Sequence, residues 1–122
     1  MNELVKIAFK YYGTNPENWT FPWCAAFLNL VLDEAGVKNE GSLMARSFLT
    51  IGEHTDSPEH GDIVVLWRVE RDSAWGHCGL FLGEDETYVT LLGGNQDGTV
   101  KIKKYPKWQL LDIRRIYDEK CA

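Results

Sequence analysis

Between residues 3 and 12, Leu4, Ile7, Ala8 and Tyr11 recur at helical spacing, with Lys6 and Lys10 on the opposite side. That period predicts an amphipathic helix laid on a core. Gly13 to Pro22 has glycine, asparagines and two prolines without any period, and reads as a loop. From Trp23 to Ala35 almost every position is apolar, and Asn29 and Asp33 lie four apart on one stripe. Such a segment predicts a buried central helix that Gly36 terminates. Gly41-Ser42 is placed to cap a third, short helix carrying Met44, Phe48 and Ile51 at i, i+4 and i+7. Gly52 to Gly61, with Pro58 inside it, reads as loop.

Beyond residue 61 the period shortens. Asp62–Arg68, Gly76–Leu82, Thr87–Leu92, Thr99–Ile102 and Leu111–Ile116 are short, rich in β-branched and apolar residues, and separated by Gly, Asp and Asn turns. Helices first and about five strands afterwards predict an α+β domain with an antiparallel meander rather than a βαβ sheet. No repeat or linker divides the chain. Its 122 residues, 44% of them hydrophobic, suffice for one core, so residues 1–122 are read as a single domain.

Charge narrows the partners. The net charge is −5, and Lys and Arg are dispersed, which argues against nucleic acid as ligand. No apolar run approaches the roughly 20 residues that span a bilayer, and Met1–Ile7 has no signal-peptide pattern. The expectation is a soluble chain, monomeric, made in the cytoplasm. Cys24, Cys78 and Cys121 are an odd set at wide spacings, unlike a disulfide framework and suited to a reducing compartment.

Cys24 follows Pro22-Trp23 at the start of the apolar helix. The unsatisfied N–H groups and positive dipole end of a first helical turn favour thiolate over thiol. A nucleophilic cysteine needs a base and a group that orients the base. His54 and His60 lie in a loop rich in Gly, Pro and acids, where solvation explains them. His77 opens a strand between Gly76 and Gly79, either as that base or as a polar strand end packed under Trp75. Asn95, at the end of the next strand, is a candidate orienter, although Gly-Gly-Asn is also turn chemistry. His54, His60, His77 and Cys78 show no metal-ligand spacing, and no metal or other cofactor is expected.

Together, Pro22-Trp23-Cys24-Ala25-Ala26-Phe27, Ala45-Arg46-Ser47-Phe48-Leu49, Gly61-Asp62-Ile63-Val64-Val65-Leu66, Gly76-His77-Cys78-Gly79 and Leu92-Gly93-Gly94-Asn95-Gln96 resemble the small CHAP-like proteins of phages and bacteria. These belong to the wider NlpC-type group of papain-like cysteine peptidases and amidases. The resemblance runs from about residue 3 to Tyr117. It implies a papain-like fold and cleavage of an amide bond in peptidoglycan, either the muramoyl-alanine amide or a stem-peptide bond. It also implies Cys24 as nucleophile, His77 as general base and acid, and Asn95 as orienter, with Gln96 adjacent. Cys78 departs from the aliphatic residue that often follows the histidine; strand alternation turns it away from the face of His77, so it should pack as a small hydrophobe.

Trp19, Trp23, Trp75 and Gln96 are candidates for lining the substrate groove, with core packing the bland alternative for each tryptophan. Arg46 is read as a bridge between elements and Asp62 as a turn residue. Without a leader, such an enzyme reaches the wall as a phage endolysin or as an injected antibacterial effector with an immunity protein as partner. Two alternatives stay open: a papain-like enzyme on a protein substrate (deamidase, transpeptidase or protease), or a catalytically silent binding module.

Overall fold

The computed structural model describes residues 2–116, so Cys121 lies outside the described residues. In chain order the elements are α1 (Glu3–Phe9), α2 (Cys24–Glu34), a 3-10 helix (Ala45–Thr50), β1 (Glu53–His54), β2 (Ile63–Trp67), β3 (Gly76–Glu84), β4 (Tyr88–Gln96), β5 (Thr99–Pro106), a 3-10 turn (Lys107–Gln109) and β6 (Leu110–Arg115). The architecture is α+β, and the strands form one open antiparallel sheet in the order β1-β6-β2-β3-β4-β5. The five expected strands are β2 to β6. The sixth, β1, lies in the stretch read as loop.

The Asn2 side chain caps α1, accepting from the N–H groups of Leu4 at 2.8 Å and Val5 at 3.3 Å. The helix ends at Phe9, short of the predicted residue 12, yet Tyr11 still docks edge-on against Phe27 with ring centroids 6.0 Å apart. At the far end of α2, Gly36 takes φ +74°. Its N–H donates to Asp33 O at 3.1 Å and that of Val37 to Leu32 O at 2.9 Å, the paired bonds of a Schellman stop. The third helix is a 3-10 helix, so its buried stripe recurs every three residues. Ala45 and Phe48 are buried, while Met44 is exposed.

Strand alternation divides the core in two. Ile63, Val65, Cys78, Leu80 and Leu92 pack with both α-helices, whereas Val64, Leu66, Phe81, Val89, Leu91 and Ile113 fill the opposite face. Among the described residues no α-helix covers that second face. The sheet curls over it instead: the chain leaves β5 through Lys107–Gln109 and returns as β6 beside β2. Trp67 Nε1 donates to Trp108 O at 3.0 Å, and Gln109 Nε2 to Trp67 O at 3.2 Å, tying the end of β2 to that return. Asp62 does more than turn the chain. Buried at the start of β2, it accepts from Arg115 Nε at 3.0 Å and Nη2 at 2.8 Å, fastening β2 to the end of β6.

Candidate active site

Cys24 begins α2. The residue before it, Trp23, offers no side-chain cap, and the first intrahelical bond is Phe27 N–H to Trp23 O at 2.9 Å. The N–H groups of Cys24, Ala25 and Ala26 therefore have no helical acceptor. Gly94 holds this turn on the sheet: a Cβ at that position would stand 2.6 Å from Phe27 Cβ and 2.8 Å from Trp23 Cζ3. Only a residue without a side chain lets the first turn of α2 sit so close to β4.

His77 is the second residue of β3 and is buried. It meets Cys24 through its side chain. Its Nε2 lies 2.9 Å from Gln96 Oε1 and 3.1 Å from Tyr105 Oη. Gln96 is 1% exposed, and its amide nitrogen is committed to two backbone carbonyls, Leu91 O at 3.2 Å and Lys101 O at 2.6 Å. Those two acceptors fix the amide's orientation, leaving its oxygen to face the imidazole. A carbonyl oxygen only accepts, so the proton sits on His77 Nε2. In the neutral ring, Nδ1 then carries the lone pair. When the ring is protonated Nε2 still donates to Gln96, so the added proton is the one on Nδ1.

The Gly-Gly-Asn-Gln run is thus explained residue by residue. Gly93 leaves room for the Gln96 amide, since a Cβ there would lie 2.9 Å from Gln96 Oε1, and Gly94 admits α2. Asn95 has left-handed backbone, φ +54°, within the register shift between Gly93 and Gln96. It borders the same cavity as His77, but among the described residues no hydrogen bond joins its side chain to the imidazole. The orienting contact belongs to Gln96.

The thiolate form of Cys24 is strongly favoured. The Cys78 thiol beside its sulfur contributes most, then hydrogen bonding to His77 and the charge of that ring, then the Cys78 backbone; together these outweigh burial and bring Cys24 down to about 4. Cys78 itself is fully buried in the α2-facing core, and burial pushes its thiol well up, so it remains a donor. It packs as the small hydrophobe expected, and its sulfur also serves the nucleophile. Burial, with the Cys24 charge nearby, raises Tyr105 as well and keeps its phenol protonated. Tyr105 lies against the imidazole, centroids 5.0 Å apart at 35°. No motif marked it. Alternation along β5 puts it with Lys101 and Lys103 on the face opposite the α-helices, where it packs against the second core cluster, but only the curl of the sheet carries it to His77.

The other candidates separate by burial. Trp75 is 63% exposed, immediately before Gly76-His77. Trp19 is half-buried against Trp23 with centroids 5.3 Å apart, and Trp23 at 3% exposure is core, not groove. Arg46 bridges elements: it donates to Trp75 O at 3.0 Å, Arg71 O at 2.8 Å and Glu70 O at 3.1 Å, holding the β2–β3 loop that delivers His77. His54 and His60 stand apart from the site, and His54 bonds Asp112 and Asp56 instead. Among the described residues no three His, Cys, Asp or Glu converge as metal ligands, and no helix is long and apolar enough to cross a membrane. Compared with protein-family models and with curated proteins, the chain matches none.

Proposed function

We propose that the protein is a papain-like cysteine amidohydrolase of the NlpC and CHAP kind, cleaving an amide bond of peptidoglycan. One observation carries the reading: a thiolate-prone Cys24 at an uncapped helix start meets a histidine whose tautomer is set by a buried amide. The order of elements, a cysteine helix laid on an antiparallel sheet that carries the histidine, supports the papain-like assignment. The choice of peptidoglycan rests on the five motifs and their order.

The chemistry follows from the atoms. Cys24 Sγ attacks the scissile carbonyl carbon, and the developing oxyanion is met by the free N–H of Cys24 at the positive end of α2. His77 Nδ1 first takes the proton of the Cys24 thiol, leaving the thiolate, and with Nε2 held by Gln96 it gives that proton to the leaving nitrogen as the C–N bond breaks. It then takes a proton from the water that attacks the thioester, and acid and thiolate separate. Purified sacculi treated with wild type should release amide-cleaved fragments identifiable by mass spectrometry, while Cys24→Ala, folded by circular dichroism, releases none. Equal release by the two proteins would rule the mechanism out. Fragments cut elsewhere than at an amide would rule out the bond class.

A further inference from the structure

Cys78 makes no bond to substrate, yet its sulfur lies against the sulfur that does. Its thiol donates to Cys24 Sγ, and its backbone N–H reaches the same atom. Two atoms of one residue thus hold the Cys24 sulfur over Cys78. The β3–β4 pairing stops at Leu80 and Leu92, short of Cys78, whose side chain faces α2 in the helix-covered core where Cys24 also packs. Gly94 lets the first turn of α2 come down to this depth. Both thiols are free, but access to them differs: Cys24 is 8% exposed and Cys78 0%. A small oxidant therefore meets Cys24 first.

We propose that Cys24 and Cys78 form a redox switch, in which a peroxide oxidises Cys24 and Cys78 captures it as a reversible Cys24–Cys78 disulfide. The Cys24 thiolate attacks one oxygen of the peroxide and the O–O bond breaks. Cys24 becomes a sulfenic acid, and the other oxygen leaves as hydroxide. The Cys78 sulfur then attacks Cys24 Sγ: the S–O bond breaks, the S–S bond forms, and the hydroxyl departs as water with the Cys78 proton. The two sulfurs have lost two electrons between them, and the peroxide has been reduced to water. Thiolate character at Cys24 favours the first step, and contact between the sulfurs favours the second. Sulfurs already in contact on two short side chains close the bond by side-chain rotation, without the backbone movement that distant pairs require. The disulfide silences the nucleophile and also halts its oxidation at a step that reduction reverses, whereas a lone Cys24 would go on to sulfinic and sulfonic acids. A dithiol restores both thiols by exchange and is itself oxidised.

The test treats the full chain with hydrogen peroxide and then dithiothreitol, and reads Cys24 alkylation, intact mass and peptide maps. In wild type, peroxide should abolish alkylation, remove two hydrogens from the mass and link the Cys24 and Cys78 peptides; dithiothreitol should restore alkylation in full. Cys78→Val, with an aliphatic side chain in place of the thiol, should instead gain two or three oxygens at Cys24 and stay unalkylated after reductant. Each protein is compared with its own untreated rate, because Cys78 also serves the Cys24 thiolate. Cys121→Ser should behave as wild type. Sulfinic or sulfonic Cys24 in wild type, a disulfide made through Cys121 or a second chain, or full recovery of Cys78→Val overturns the switch, and the wild-type map decides even where Cys78→Val fails to fold. None of these readouts needs a substrate. Sacculi left intact by untreated wild type would remove the hydrolase reading and leave the switch standing, while sacculi digested by a protein that forms no such disulfide would remove the switch alone.

Discussion

At the scale of single residues, the site turns on an amide rather than an ion. Gln96 spends both donors on backbone carbonyls, so its oxygen can only accept from His77. A buried carboxylate there would face Leu91 O and Lys101 O without protons to offer them. Truncation frees the imidazole to rotate and strands two acceptors. Gln96→Ala should therefore lower kcat by about 10²-fold, within the span of general acid–base contributions. Asn95→Ala should cost at least ten-fold less, because Asn95 shapes the bulge without bonding the ring. Steady-state rates on sacculi decide between them, and a larger loss from Asn95→Ala would return the orienting role to that residue. Cys78 makes the complementary contribution on the sulfur side. A buried thiol whose proton is hard to lose is a donor next to a sulfur whose proton is easily lost.

At the scale of elements, the catalytic geometry depends on how closely α2 lies on β4. Gly94→Ala places a methyl group within 2.6 Å of Phe27 Cβ and 2.8 Å of Trp23 Cζ3, both in the first turn of α2 or next to it. Overpacking of this kind costs about 1–3 kcal/mol. Because the displaced turn carries Cys24, turnover should fall by more than the lost stability explains. Thermal melting together with the rate of Cys24 alkylation measures the two effects, and an unchanged alkylation rate would show that the turn had not moved. These contacts separate what the sequence made legible from what it did not. Cys24 and His77 were legible because each sits where a local rule applies, at a helix start and at a glycine-flanked strand start. Gln96 in place of Asn95 was not, because the bulge between Gly93 and Gln96 resets strand alternation. The third helix differs from the predicted period, since Ala45 and Phe48 fit a three-residue turn as well as Met44 and Phe48 fit a four-residue one.

At the scale of the whole molecule, what escaped the sequence is curvature. Tyr105 reaches His77, and Arg68 at the end of β2 faces Lys103 on β5, only because the sheet bends so that its β5 end returns toward β2. Such bending gathers many weak preferences along several strands into one shape, and no single residue encodes it. The opposite edge of the sheet is held differently. β1 pairs with β6 over only two positions, Glu53 with Arg115 and His54 with Arg114, and His54 adds Nδ1 to Asp112 at 2.5 Å and Nε2 to Asp56 at 2.7 Å. Hydrogen bonding to Asp112, then to Asp56, raises the pKa of His54 above its ordinary value. Burial acts to raise Asp112, but His54 and Arg114 hold it below the usual carboxylate range. A raised histidine contributes stability that is fully present below its unfolded pKa of about 6.5 and is lost as pH climbs through the folded value. A lowered carboxylate contributes above its unfolded value of about 3.9 and loses that contribution as pH falls through the folded one. The clasp is therefore strongest between those limits. The melting temperature of His54→Gln should lie furthest below wild type in mildly acidic buffer, and the two should converge in alkaline buffer. A difference that stays constant from acid to alkali would mean that His54 packs at this edge without its charge contributing.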